Sequence, residues 1–217
     1  RTGRPPYADV FGHSFWEDLH AHHEIAEDFD ELMGPEGHGT PDSNVLLDGD
    51  WSRVRTVVDV GGGTGAMLAE ILRAHPAARG TLVDLPKTVA RASSTFAKAG
   101  VADRVRVVGQ SFFDPLPAGA DLYLLMKVVS NWTGDELIAI LRRCAEAAGL
   151  DGRLVISGGV TPDDRSQTLT IETVLIGGMS HGLAEFRSIA ADAGLEVVAA
   201  GAQSSGRFVV ECRRKAL

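Results

Sequence analysis

The run Thr56-Val57-Val58-Asp59-Val60-Gly61-Gly62-Gly63-Thr64-Gly65-Ala66 constrains the fold of this chain more than any other stretch. Thr56, Val57, Val58 and Val60 are β-prone and predict a short buried strand ahead of the glycines. Behind the glycines, Leu68, Ile71 and Leu72 recur at helical spacing, so a helix is expected over 67–75. The glycines are therefore a strand-to-helix turn, where the backbone bends sharply and a ligand can come closer than any Cβ would permit. Gly61, Gly63 and Gly65 fit that demand.

The glycines alone leave the ligand open. Gly61-x-Gly63-x-x-Ala66 also satisfies the dinucleotide fingerprint with alanine in third place, and a purely structural turn would use glycine too. Asp59, two residues before the first glycine, weighs against a nicotinamide cofactor, because a carboxylate there would repel a pyrophosphate. Beside a ligand carrying an ammonium and a sulfonium it becomes useful, directly or through water, and S-adenosylmethionine carries both. Asp84 ends the next apolar run, roughly 20 residues on, where an acid can take both hydroxyls of a ribose. Both cofactor readings require that acid.

Strands and helices alternate after the turn. Strands are predicted at 80–83, 105–108, 121–126 and 153–157, with helices at 87–99, 168–179 and 183–193. Thr133-Gly134-Asp135-Glu136 reads as a capping box for a further helix, whose apolar face is Leu137, Ile140, Leu141 and Cys144 and whose end is Gly149. Strands at 195–200 and 207–213 are joined by a loop too short for anything but antiparallel pairing. This is an α/β pattern of seven strands, a mostly parallel sheet covered on both faces. In such sheets ligands sit at the carboxyl ends of the strands, where the glycine turn, Asp84, Ser111 and Ser130 all fall.

Ahead of the sheet, apolar positions between 15 and 33 predict one or two amphipathic helices, and 34–50 reads as a loop with Val45, Leu46 and Leu47 as its only apolar residues. Residues 1–50 are thus expected to be a helical lead-in and linker covering the cofactor site, and 51–217 the cofactor-binding α/β domain. His20 and His23 can share a helical face, but nothing nearby supplies a third metal ligand, and a solvated face is the simpler reading.

With 217 residues, 44% hydrophobic and 23% charged, the chain suits one domain with a sizeable core. A net charge of −8 with scattered Lys and Arg argues against nucleic acid as a partner. No apolar run approaches the ~18 residues a membrane span needs, the start is not a signal peptide, and a cytoplasmic protein is expected. Its two cysteines, Cys144 and Cys212, read as buried reduced thiols.

Several stretches together resemble a known family. They are Thr2-Gly3-Arg4-Pro5, Phe11-Gly12, Phe15-Trp16-Glu17-Asp18-Leu19, the turn itself, Gly80-Thr81-Leu82-Val83-Asp84-Leu85-Pro86, Phe112-Phe113-Asp114-Pro115-Leu116-Pro117, Asn131-Trp132 and Ala184-Glu185-Phe186-Arg187. The chain is similar to the class I S-adenosylmethionine-dependent O-methyltransferases, in the small-molecule branch of plant caffeate-type and actinobacterial anthracycline (carminomycin 4-O-methyltransferase-like) enzymes. The resemblance implies the Rossmann-like seven-stranded methyltransferase sheet with an antiparallel C-terminal strand. It implies that Asp59, Gly61, Gly63 and Asp84 hold S-adenosylmethionine, with S-adenosylhomocysteine as product. Leu85 and Phe112 would flank adenine, and Phe29 and Met33 would lie in the helix covering the methionine. The family's N-terminal helical domain forms a dimer, and this chain starts after it. A homodimer or partner enzyme through that region is the corresponding expectation.

The chain departs from the family at the site. Gln110-Ser111-Phe112-Phe113 stands where Gly-Asp-Phe-Phe is usual, so Ser111 replaces the acid that accepts adenine's amine, with a bond worth about 1 kcal/mol less. Ser130-Asn131-Trp132 stands where many members have His-Asp-Trp, and Gly158 stands where an acid often supports that histidine. An unassisted serine cannot deprotonate a phenol at neutral pH. The anthracycline branch also has Asn-Trp without the histidine, and there transfer rests on proximity. Ser130 and Asn131 would then orient the acceptor, a phenolic hydroxyl of a small aromatic, polyketide-type molecule. The same branch resembles aclacinomycin hydroxylase-type proteins, which keep fold and cofactor without methyl transfer, so other tailoring chemistry or a non-catalytic subunit are the alternatives. In Gly177-Gly178-Met179-Ser180-His181-Gly182, His181 reads as a loop histidine near solvent rather than a displaced base.

Overall fold

The computed structural model describes residues 6–13, 15–22, 24–25, 28–29, 42–165 and 178–216. Two short helices, α1 (Pro6–Phe11) and α2 (Phe15–Ala21), lead in. The glycine turn joins β1 (Thr56–Val60) to α3 (Ala66–Ala74), as its sequence predicts. Then come β2 (Arg79–Asp84), α4 (Pro86–Val89), α5 (Ala92–Lys98), β3 (Val105–Gly109), β4 (Leu122–Met126), α6 (Gly134–Ala148) and β5 (Arg153–Ser157). A small pair, β6 (Val160–Thr161) and β7 (His181–Gly182), precedes α7 (Leu183–Asp192), β8 (Leu195–Ala202) and β9 (Phe208–Arg214).

Seven strands form one sheet in the order β3-β2-β1-β4-β5-β9-β8. β1 pairs in parallel with β2 on one side and β4 on the other, so the strand order reverses at β1. That reversal opens a crevice at the carboxyl end of β1, where the glycine turn lies. β9 runs antiparallel to both β5 and β8, which is the expected hand of the C-terminal strand. β4 is buried along nearly its whole length because helices cover both faces, which is why it reads as a continuous apolar run. Leu137, Ile140, Leu141 and Phe186 fill one face from α6 and α7, and Leu68, Ile71, Leu72 and Phe96 fill the other from α3 and α5.

Three differences from the sequence reading have local causes. The helix expected at 87–99 is two helices, because a turn at Ala90-Arg91 lets both Val89 and Ala92 reach the core. Thr133 does take the N-cap position of α6 with extended backbone, but its hydroxyl makes no capping bond. The β6–β7 pair has two residues per strand, too few to leave a periodic pattern. Of the helix expected at 168–179, residues 168–177 lie outside the described residues, and 178–179 have no regular structure.

The described part of the expected linker is irregular, yet it is fastened to the sheet. Val45 and Leu46 are buried in the core, the Leu47 amide donates to Glu211 Oε1 at 2.7 Å, and the Gln203 side-chain amide donates to the Asn44 carbonyl. Arg153 reaches both Asp48 and Glu211, at 3.3 Å in each case. Cys144 and Cys212 are buried free thiols, and burial pushes each up to about 12. Among the described residues no helix is long and apolar enough to cross a membrane.

Candidate active site

The glycine turn is built for close approach. Gly61, Gly63 and Gly65 all lie in the left-handed region, at φ of 69, 62 and 85°. A Cβ on Gly61 would stand 2.8 Å from Val128 Cγ2, and one on Gly65 would stand 2.3 Å from the Phe96 ring. Gly62 rests on Asp59, whose carboxyl a Cβ would meet at 2.5 Å. Gly63 differs, since nothing lies within 4 Å of its Cβ position, so it faces open space. Packing thus requires glycine at 61, 62 and 65, while at Gly63 only the left-handed backbone favours it and the space beside it is open.

Asp84 ends β2 beside that opening. Its Oδ2 accepts from the Gly63 amide at 2.8 Å and its Oδ1 from the Leu85 amide at 2.7 Å. Burial raises its carboxyl above the ordinary range, and those two amides pull it back. Each oxygen keeps a lone pair for a further donor, which fits the two hydroxyls of a ribose. Asp59 lies beneath the turn with 0% exposure, and neither of its oxygens has a partner in good hydrogen-bond geometry, the Leu68 amide being the donor that acts on it. Burial pushes it to about 7, the nearby Asp84 adds to the rise, and the Leu68 amide opposes it. Its place below Gly62 puts it in reach of the site through its field rather than through an exposed oxygen.

The remaining cofactor candidates ring the same opening. Leu85 is exposed at the mouth, and Phe112 packs over Gly61, 3.4 Å from its Cβ position. The Ser111 hydroxyl accepts from the Phe113 amide at 3.2 Å, so part of its acceptor capacity closes its own turn. Trp132 meets Phe112 and Phe113 edge-on and stacks on Trp16 at 6.1 Å, and Trp16 in turn meets Phe29 at 5.9 Å. This aromatic chain joins the lead-in helices to the site, and no periodicity in the sequence announces it. Met33 lies outside the described residues.

Across the crevice, Ser130 and Asn131 occupy a 3₁₀ turn over Val129–Asn131. The Ser130 hydroxyl donates to the Lys127 carbonyl at 3.2 Å or to Asn131 Oδ1 at 3.3 Å, and Asn131 Nδ2 donates to the same carbonyl at 3.2 Å. Neither is paired with a basic group. Lys127 has φ of 60°, the one non-glycine residue in the left-handed region among the described residues. Such strain concentrates at functional sites, and sequence reasoning missed this residue because only its place after β4 marks it. Gly158 and Gly159 have φ of 85 and 86°, and a Cβ on Gly159 would stand 2.4 Å from the Ser130 amide nitrogen. Gly158 is therefore more than a missing acid, since its backbone conformation favours glycine.

His181 corrects an expectation. It is 2% exposed, not near solvent, and sits in β7, which pairs with β6. Its amide donates to the Gly159 carbonyl at 2.8 Å, and the Met179 amide donates to Ser130 at 2.8 Å, so this segment braces the acceptor turn. Nδ1 lies 3.3 Å from Glu185 Oε1, without hydrogen-bond geometry.

The sheet order, the crevice at β1 and the glycine turn with its strand-end acid define the Rossmann-like methyltransferase fold. Over residues 1–196 the chain matches the O-methyltransferase domain family, and it belongs to that family. It is 42% identical over 203 residues to the 2,7-dihydroxy-5-methyl-1-naphthoate 7-O-methyltransferase of Streptomyces carzinostaticus, covering 92% of this chain and 60% of that protein. It is 46% identical over 161 residues to aclacinomycin 10-hydroxylase of Streptomyces purpurascens, covering 72% of this chain and 41% of that one. Among solved structures it matches the O-methyltransferase NcsB1 of neocarzinostatin biosynthesis, in complex with S-adenosylmethionine and 2-hydroxy-5-methyl naphthoic acid. That match has a TM-score of 0.87 and 38% identity, covering 99% of this chain and 65% of that one. The chain thus spans about two fifths to two thirds of the length of these proteins.

Proposed function

We propose that this chain performs S-adenosylmethionine-dependent methylation of a phenolic hydroxyl on an aromatic, polyketide-type natural product, by holding acceptor and donor together rather than through a histidine base. The observation that carries the reading is the pairing of a donor cradle, open at Gly63 and edged by Asp84, with an acceptor turn that has hydrogen-bonding groups but no base. When bound, the cofactor supplies a methyl group on a sulfonium. Asp84 takes the ribose hydroxyls, Leu85 and Phe112 flank adenine, and Ser111 offers its remaining lone pair to the adenine amine. Asp59 favours the cofactor's positive charge from beneath Gly62. Phe29 and Met33 belong to the cover over the methionine.

Ser130 and Asn131 orient the acceptor, whose own acidity supplies the nucleophile. Positioning alone can account for ~7–11 kcal/mol of a barrier when reacting atoms are held in line, so a base is dispensable for an acidic phenol. The naphthoate methyltransferase among the relatives, and the naphthoic acid held by NcsB1, support an aromatic acceptor. The likeness to aclacinomycin 10-hydroxylase favours a second reading, in which the same fold and cofactor serve hydroxylation. The reading includes a cytoplasmic protein, supported by two unpaired buried cysteines, and self-association or association with a partner enzyme.

Calorimetric titration with S-adenosylmethionine and S-adenosylhomocysteine, with NAD as control, tests the donor site. Product mass on a phenol panel tests the chemistry. Gain of one CH₂ supports methylation, and gain of one oxygen supports the second reading. A cooperatively folded protein that binds neither cofactor form would replace both with a non-catalytic role.

A further inference from the structure

We infer that His181 is a positioning residue of the acceptor turn: its buried ring, held by Glu185 of α7, keeps Ser130 and Asn131 where they orient the acceptor. This deepens the acceptor reading above and rests on it. The backbone of Ser130 is gripped from two sides. Its carbonyl accepts from the Met179 amide at 2.8 Å, and its amide nitrogen lies so close to Gly159 that a Cβ there would stand 2.4 Å away. Gly159 is fixed in turn, because its carbonyl accepts from the His181 amide at 2.8 Å. Both contacts therefore depend on where residues 179–181 lie. Residues 178–180 have no regular structure, and the β6–β7 pair that follows has only two residues per strand. So short a ladder fixes little by itself.

The His181 side chain is what anchors the segment. It is 2% exposed, and neither ring nitrogen has a hydrogen-bond partner. Glu185 Oε1 stands at ion-pair distance, 3.3 Å from Nδ1, in the first turn of α7. A buried imidazole with unpaired nitrogens is costly, so this one contact decides whether the ring keeps its place. A carboxylate beside Nδ1 also selects a ring form that carries a proton there. The helix that presents Glu185 is firm. Phe186 and Ala190 fasten it to the core, and Asp163 Oδ1 accepts from the Ala184 amide at 3.0 Å at its start. The path thus runs from a core helix through Glu185 and His181 to Gly159, and along the chain to Met179 and Ser130. The polar contact of the ring is with α7, so His181 acts on the acceptor through the turn and not as a base.

Hydrogen–deuterium exchange and steady-state kinetics of the full chain test this together. Glu185→Ala removes the ring's partner at an exposed position, His181→Phe keeps a buried ring without nitrogens, and His181→Asn keeps a donor near the place of Nδ1. In the first two, amides of 128–132 and 179–182 should exchange about tenfold faster, while those of β1 and β4 keep their wild-type rates. On the phenol methylated fastest in the panel above, kcat per S-adenosylhomocysteine site should fall about three- to tenfold, with the affinity for S-adenosylhomocysteine unchanged. His181→Asn should recover part of both effects. Should His181→Phe not fold, Glu185→Ala decides. Unchanged exchange at 128–132 overturns the inference. So does faster exchange spread evenly over the sheet, which marks a general loss of stability, and so does local opening with kcat unchanged. Local opening in a protein that methylates no phenol would keep the brace and sink the methylation reading, so the two failures are distinguishable.

Discussion

Asp59→Asn perturbs the least compensated charge in the donor site. The carboxyl is fully buried without a partner in good hydrogen-bond geometry, and burial is the main reason it is pushed from 3.8 to about 7. The sign follows from proton binding. A carboxyl whose folded value lies above its unfolded value holds its proton more tightly in the native state. Its contribution is fully present below 3.8 and is lost as pH rises through about 7. Linkage between those two values gives a loss of about 2–3 kcal/mol between pH 5 and pH 8. Asparagine has nearly the same shape and does not ionise, so any cost of burying its amide is the same at both pH values. Urea unfolding of both proteins at pH 5 and pH 8 measures the effect as a double difference. The wild type should lose about 2–3 kcal/mol more than the variant over that interval. Equal pH dependence in the two proteins would refute the reasoning and mean that the carboxylate is compensated in solution. The same variant should bind S-adenosylmethionine more weakly at pH 8, where the native carboxylate is ionised and attracts the cation.

Further expectations concern single positions. Gly65→Ala drives a methyl into the Phe96 ring and should destabilise by roughly 2–4 kcal/mol in chemical denaturation. Gly63→Ala meets no atom within 4 Å, so it should cost only about 1–2 kcal/mol of backbone strain while weakening cofactor binding far more than that strain explains. Arg104 donates to the carbonyls of Leu72, His75, Pro76 and Ala78, so Arg104→Ala should lower stability by about 1–3 kcal/mol and Arg104→Lys should restore only part of it. Ser130→Ala should lower kcat less than about tenfold, well short of the ~10²–10⁴-fold that losing a general base costs. A larger loss with altered pH dependence would make the serine part of a proton relay.

The sheet was legible because its strands and helices repeat their apolar residues at their own periods. The glycine turn, Asp84 and the antiparallel end all follow from spacing and loop length. Less legible were features set by long-range contact. Lys127 and Arg207 are 80 positions apart and come to the same end of the sheet only because β9 folds back along β5. Trp16 reaches Trp132 through stacking that no local pattern encodes. His181 looked like a loop residue because two-residue strands carry no period, and burial came from pairing with β6. The apolar triplet at 45–47 looked like part of a linker, yet Val45 and Leu46 are core residues, because the segment is pinned through Glu211 and Gln203.

The departures from the family pattern gain a common physical sense once they are placed on the sheet. Two acids lie at the glycine turn, Asp59 beneath Gly62 and Asp84 bonded to the Gly63 amide. Where the family often has a histidine and a supporting acid, this chain has Ser130 and Gly158, and Gly158 has a left-handed backbone that favours glycine. On the proposed reading, the lack of a histidine at position 130 matters less for an acidic phenol, because an acceptor that arrives as its anion leaves little proton to remove.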